Sequence, residues 1–100
     1  MAVKKKTALL KDVKNYLDIT WDDPQGDQKI MEMIEWGMIA ISEKIGECNF
    51  FEKTQERALL FDYVMYARAG EIPQFWKNYK EEIISLQISR KVEKYAAGQE

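Results

Sequence analysis

The segment WDDPQGD, residues 21–27, places three carboxylates within six residues of chain. Carboxylate oxygens could bind Ca²⁺ or Mg²⁺, and a carboxylate pair could carry out acid–base catalysis. A calcium loop of the EF-hand type needs oxygen ligands at alternating positions and a glutamate at the twelfth. Aspartates at positions 22, 23 and 27, with Pro24 between them, do not follow that pattern. Asp22 and Asp23 are also adjacent, in a turn that should be exposed to solvent. Nothing in the sequence would bury one carboxyl group more than the other, as an acid–base pair requires.

The same segment has the features of a corner between two helices. Residues 23–26 have Asp, Pro and Gly at the first, second and fourth positions of a type I turn. Asp27 is then the predicted N-cap of the next helix, and Asp22 and Asp23 lie near its positive end, where anions are favoured. We therefore interpret the segment as structural.

The rest of the chain offers no set of residues for catalysis. Histidine is absent, and Cys48 is the only cysteine, so a zinc site and an intrachain disulfide are not expected. Without histidine, Cys48 lacks the usual base of a cysteine nucleophile, and we expect it to be a buried or half-buried structural residue. No glycine-rich phosphate loop is present. We predict that the protein is not an enzyme and uses no cofactor or metal.

The composition indicates one small globular domain. The chain has 100 residues, of which 46% are hydrophobic and 12% aromatic, which argues against disorder. A formal net charge of −2 is not typical of a general nucleic-acid binder. No apolar run is long enough for a signal peptide or a membrane span, so we expect a cytoplasmic setting.

Helical periodicity predicts an all-α fold, a single domain of about four helices with short connections. The predicted helices are Thr7–Leu17, Gln28–Ile45, Thr54–Ala69 and Pro73–Tyr95. Gly46 and Gly70 should end the second and third, and Pro73 suits the first turn of the fourth. Residues 1–6 are predicted to be a flexible basic arm, residues 7–95 the helical domain and residues 96–100 a frayed tail.

The predicted core is formed by the first three helices and the first half of the fourth. The second helix presents one apolar stripe formed by Ile30, Ile34, Met38, Ile41 and Ile45. The third helix is apolar on two sides, with Leu59, Leu60, Tyr63 and Ala67 on one and Ala58, Phe61 and Met65 on the other. A helix of this kind is expected to be buried on both sides.

Two sets of apolar residues lie off these core stripes. Trp36 and Ile39 fall among the acidic residues of the second helix. On the predicted fourth helix, the apolar residues of the second half form a stripe that is rotated by well over 90° from the apolar stripe of the first half. Either the fold wraps around both sets or they form subunit contacts. The candidate interface residues are Trp36, Ile39, Ile84, Ile88, Val92 and Tyr95. Two different patches on one chain favour a head-to-tail contact, which can close into a ring.

Two long segments share patterns with a known family. In LLKDVKNYLDITWDDPQGDQKIMEMIEWGMIAISEKIG, a short helix ends in residues 16–19, an acidic turn follows, and a long helix containing Gly37 and Ala40 ends at a glycine. In ERALLFDYVMYARAGEIPQFWKNYKEEIISLQI, a tyrosine-rich helix precedes a helix with Phe75, Asn78, Tyr79, Ile83 and Leu86. Over about residues 7–90 the chain thus resembles the small head–tail connector proteins of long-tailed bacteriophages and prophages, also known as DNA packaging proteins.

The resemblance implies a structural protein of the virion. Such a protein would form a homo-oligomeric ring beneath the portal protein, extend the DNA channel and dock the next tail-completion or adaptor protein. DNA would pass through the ring without sequence-specific binding, and no membrane would be involved. The protein would be made in the host cytoplasm and would end at the head–tail junction of the virion.

An alternative is a small helical nucleic-acid-binding or regulatory module. It would use the basic run Lys4–Lys6 together with Arg90, Lys91 and Lys94. This alternative predicts salt-dependent DNA affinity and a two-fold dimer. Acidic residues are interleaved with these basic ones, and no helix rich in Arg, Lys, Asn and Gln stands out.

Overall fold

The computed structural model describes the backbone of residues 2–98 and the side chains of residues 5–93. Within that range the chain forms five α-helices and no β-strand. The helices are α1 (Ala2–Tyr16), α2 (Pro24–Ile45), α3 (Gln55–Arg68), α4 (Ile72–Asn78) and α5 (Lys80–Gly98). The predicted all-α class is confirmed, and the predicted number of helices is one too low. No helix in the described residues is long and apolar enough to cross a membrane.

The core is centred on the packing of α2 against α3, with α1, α4 and α5 around this pair. Four of the five residues of the predicted α2 stripe are buried, and Met38 is partly buried. Burial of this apolar surface is the main force that holds the helices together. The buried apolar residues are Leu9, Val13, Ile19, Ile30, Ile34, Ile41, Ile45, Phe50, Leu59, Leu60, Tyr63, Val64, Phe75, Ile83 and Leu86.

Gly37 allows α2 and α3 to approach closely. A Cβ atom at Gly37 would lie 2.7 Å from Cδ1 of Leu60 and 2.7 Å from Cδ1 of Tyr63, which is too close for carbon atoms. The glycine is therefore needed inside the protomer, where it leaves room for two core side chains of α3.

The second apolar side of α3 is only partly covered, so the prediction that α3 is buried on both sides is wrong. Ala58 and Met65 are exposed, and Phe61 is half-buried. Phe61 is partly covered by Tyr16 at the end of α1. The two rings are arranged edge-on, with 5.5 Å between their centres. The guanidinium of Arg57 lies 5.0 Å from the centre of the same ring.

Two helices begin earlier than predicted. α1 starts at Ala2, so Thr7 is an interior residue of the helix, and residues 2–6 have helical backbone. α2 starts at Pro24, and its N-cap is Asp23, whose Oδ1 accepts a hydrogen bond from the backbone N–H of Gln25 at 3.2 Å. Proline suits the first position of a helix because its fixed φ is helical and its missing N–H has no partner to lose there. Residues 24–27 are thus the first turn of α2.

The predicted fourth helix is interrupted at Tyr79, which separates α4 from α5. Tyr79 has φ −107° and ψ 13°, outside the helical region. Its ring stacks on that of Phe75 with 4.9 Å between the centroids. Residues 96–98, which we expected in a frayed tail, belong to α5, and residues 99 and 100 lie outside the described part of the chain.

Candidate interaction surfaces

A lysine of α1 forms ion pairs with two of the three aspartates of the acidic corner. Nζ of Lys14 lies 2.9 Å from Asp27 and 3.5 Å from Asp22, and it donates a hydrogen bond to the backbone oxygen of Trp21 at 3.0 Å. The hydrogen bond to Asp27 raises the pKa of the Lys14 ammonium. The corner is therefore an ion-pair cluster that ties α1 to the start of α2. Across the described side chains, no group of three or more acids or cysteines is arranged to hold a metal ion.

Cys48 is half-buried in the connection between α2 and α3. Its Sγ donates a hydrogen bond to the backbone oxygen of Gly46 at 3.2 Å. Burial raises the pKa of the thiol, which keeps it protonated and disfavours nucleophilic chemistry. The prediction of a buried or half-buried position is confirmed.

Trp36 and Ile39 are exposed on α2, so a single copy of the fold does not enclose them. Trp36 is 66% exposed and Ile39 is 51% exposed. They border a mainly apolar groove of about 460 Å³, which we call the α2 groove. Its lining residues come from α2, α3 and α4: Met33, Trp36, Ile39, Ala40, Glu43, Tyr63, Ala67 and Ile72.

A second apolar surface runs along the outer side of α5. Ile84, Ile88 and Val92 are 42%, 57% and 62% exposed, and we call these three residues the α5 stripe. The inner side of the same helix carries Ile83 and Leu86, which are buried in the core. α5 therefore has a buried apolar side and an exposed apolar side, although the single helix on which two faces were predicted is interrupted at Tyr79. The side chain of Tyr95, the sixth candidate interface residue, lies outside the described residues.

A partly buried ion pair, which helical periodicity did not indicate, joins α5 to the first turn of α3. Glu56 is buried and accepts hydrogen bonds from Nη2 of Arg90 and from the backbone N–H of Asn49. Nε of Arg90 also donates to the backbone oxygen of Glu47 at 3.2 Å. Glu56 and Arg90 are 34 residues apart, so no local pattern links them.

We expect Arg90→Ala to lower the free energy of unfolding by about 1–3 kcal/mol, because Glu56 would remain buried without its cationic partner. The expected loss is smaller than for a fully buried pair because the Arg90 side chain is 28% exposed. Lys11→Ala is the control, since Lys11 is exposed on α1 and belongs to neither apolar surface, and it should change stability by less than about 0.5 kcal/mol. Urea unfolding followed by circular dichroism measures both values. If Arg90→Ala and the control have equal free energies of unfolding, the ion pair does not stabilise the packing of α5.

Comparisons with known proteins give no match. No family model, no curated protein and no solved structure matches this chain. A functional proposal therefore depends on the residues, the exposed surfaces and the resemblance described above.

Proposed function

We propose that this protein is a structural head–tail connector subunit of a bacteriophage or prophage. It forms a ring beneath the portal, extends the DNA channel and docks the next tail-completion protein. The observation that supports the proposal most directly is the pair of separate apolar surfaces, the α2 groove and the α5 stripe, exposed on a chain of 100 residues. Contiguous apolar patches typically mark interaction sites, and two unlike patches favour a head-to-tail contact that closes into a ring.

The partners follow from the same proposal. The protein binds further copies of itself, the portal protein and a tail-completion or adaptor protein at the head–tail junction of the virion. A net charge of −2 suits a channel through which DNA passes, because tight phosphate binding would need a surplus of Lys and Arg.

A structural role also agrees with the contacts that the polar residues make within the fold. Asp22 and Asp27 are paired with Lys14, and Asp23 caps α2. Cys48 is held as a thiol by burial. These side chains already have roles within the fold, and we propose that the protein is not an enzyme.

The alternative of a nucleic-acid-binding or regulatory module is less favoured. Of the basic residues it would use on α5, Arg90 is engaged with Glu56 and the backbone of Glu47. Lys91 is exposed, and the side chains of Lys4 and Lys94 lie outside the described residues. DNA affinity that falls steeply with salt concentration would support this alternative.

The proposal is tested by the mass of the protein in solution, measured by light scattering over a range of concentrations. Negative-stain images of the same samples show whether rings form, and both measurements are repeated with a portal protein present. Rings formed by the protein alone or on the portal support the proposal. A strict two-fold dimer contradicts it, as does a monomer that fails to bind any portal ring.

We expect the double variant Trp36→Ala/Ile39→Ser to retain its helical content and to assemble about 10–100-fold more weakly, because buried aromatic anchors carry much of an interface's energy. Trp21→Ala is the control, since Trp21 is also exposed but lies in the corner between α1 and α2 and belongs to neither surface. Circular dichroism measures folding, and light scattering measures assembly. If the double variant unfolds, or assembles like the wild type, the two residues do not form a subunit contact.

A further inference from the structure

Few side chains attach α5 to the rest of the protomer. Among its described side chains, Ile83 and Leu86 are the two that are buried in the core. The amide of Gln87 donates a hydrogen bond to the backbone at the C-terminal end of α2 at 2.7 Å, and Arg90 pairs with Glu56. α5 thus rests on the end of α2, on the connection that follows it and on the first turn of α3.

The joint between α4 and α5 is a single residue, Tyr79. Its φ of −107° and ψ of 13° differ by about 40–60° from the values inside an α-helix. Two backbone hydrogen bonds of helical spacing meet at this residue. Its N–H donates to the oxygen of Phe75, and its own oxygen accepts from the N–H of Ile83, both at 3.0 Å. A modest rotation at one residue would therefore make α4 and α5 one continuous helix.

The continuous helix would gain backbone hydrogen bonds. α5 begins at Lys80, so the N–H groups of its first residues have no partner inside that helix. In a continuous helix, the N–H groups at positions 80, 81 and 82 would bond to the carbonyl groups four residues earlier. The periodicity of the sequence also predicts one helix over this region, from Pro73 to Tyr95.

Straightening has a cost, because α5 would no longer lie on its own protomer. Ile83 and Leu86 would lose their place in the core, and Glu56 would lose its cationic partner. The α5 of a second copy carries the same side chains, so it fits the vacated surface as well as the copy's own helix does. For this reason the exchange of an identical element is a low-cost route to oligomers.

We propose that α5 is exchanged between neighbouring subunits of the ring by domain swapping. The interruption at Tyr79 straightens, and α5 of each copy packs on α2 and α3 of the next copy, where Arg90 pairs with Glu56. The inference deepens the proposed function and rests on it, because it identifies the element that joins the subunits. Each copy gives one α5 and receives one, so the contact is head-to-tail and continues until the ring closes.

Mixing two charge-reversed variants tests the exchange. One variant carries Arg90→Glu and the other carries Glu56→Arg, so each alone opposes like charges, whether the pair lies within one copy or between two. In an equimolar mixture, opposite charges meet again only where α5 of one variant packs on the body of the other. We expect the mixture to form rings at a concentration at least about tenfold below that needed by either variant alone. A mixture that assembles no more readily than its two components would overturn the proposal.

The double variant Arg90→Glu/Glu56→Arg is the control for the reversed pair. It restores opposite charges within one chain and should assemble near the wild-type level. Light scattering measures assembly, with and without a portal ring, and circular dichroism checks the folding of every sample.

The joint at Tyr79 provides a second test that does not depend on the ion pair. Two glycines inserted after Tyr79 would let α5 fold back on its own copy and would disfavour the continuous helix, because glycine is a poor helix former. We expect this insertion to retain the helical content and to raise the concentration needed for ring formation at least about tenfold. The same insertion after Gly70, in the exposed connection between α3 and α4, is the matched control. Equal assembly of the two insertion variants would contradict the exchange.

Failure of this inference is distinguishable from failure of the proposed function. Wild-type rings, together with a mixture that assembles no better than its components, would overturn the exchange and leave the connector proposal in place. A wild-type protein that is a strict two-fold dimer, or a monomer that binds no portal ring, would overturn both.

Discussion

Phe75→Ala is expected to lower the free energy of unfolding by about 3–5 kcal/mol, the range measured for large aromatic side chains removed from a core. Phe75 is 0% exposed. Its ring meets those of Tyr63, Tyr66 and Trp76 edge-on at 5.3, 5.8 and 5.0 Å and stacks on that of Tyr79 at 4.9 Å. Aromatic pairs of this geometry add stability beyond the burial of their area. The substitution would leave a cavity at the point where α3 meets α4 and the start of α5.

Urea unfolding followed by circular dichroism measures the loss. Phe51→Ala is the matched control, because it removes the same side chain at a position that is 39% exposed. Its expected cost is about 1–2 kcal/mol, because the ring is partly exposed and its removal leaves no enclosed cavity. Similar losses for the two variants would show that the ring cluster around Phe75 does not organise the fold.

Ile34→Ala is expected to destabilise the protomer by about 2–5 kcal/mol, whereas Ile39→Ala on the same helix should cost less than about 1 kcal/mol. The two substitutions remove the same atoms. Ile34 is 0% exposed and belongs to the core, while Ile39 is 51% exposed at the α2 groove. The difference between the two losses therefore measures burial directly.

The two substitutions should affect assembly in the opposite order, with the larger effect from Ile39→Ala. Under conditions in which both variants are folded, Ile39→Ala should weaken ring formation and Ile34→Ala should leave it near the wild-type level. Light scattering of the two proteins, each checked for helical content, gives the comparison. If Ile34→Ala weakens assembly as much as Ile39→Ala does, folding and assembly are not separated on α2 in the way that the exposures indicate.

If folding and assembly are separated in this way, α2 uses one side for folding and the opposite side for assembly. Its buried side, with Ile34 and Gly37, packs against α3 inside the protomer. Its exposed side, with Trp36 and Ile39, is available to a second copy. A small domain of this kind can be stable enough to fold alone and still gain stability from its neighbours in a ring.

The sequence by itself determined the features that depend on local periodicity and on single residues. The α2 stripe is buried because residues spaced three or four apart share one side of a helix. Gly46 and Gly70 follow the ends of α2 and α3 with φ of 105° and 71°, a conformation that glycine adopts without strain. The sequence also showed that Trp36 and Ile39 lie off the core stripe of α2, among acidic residues, and it left open whether the fold would enclose them.

Only the tertiary structure decided which elements meet. Asp22 and Asp27 of the acidic corner are paired with Lys14, and Glu56 is paired with Arg90. These partners are far apart in the chain, so helical periodicity does not predict the pairs. The α2 groove combines residues of α2, α3 and α4, so it exists only once those helices have packed. The partial exposure of α3 was missed because an apolar side becomes buried only where another element reaches it. Periodicity shows that a side of a helix is apolar, and long-range packing decides whether that side becomes core or remains a surface for a partner.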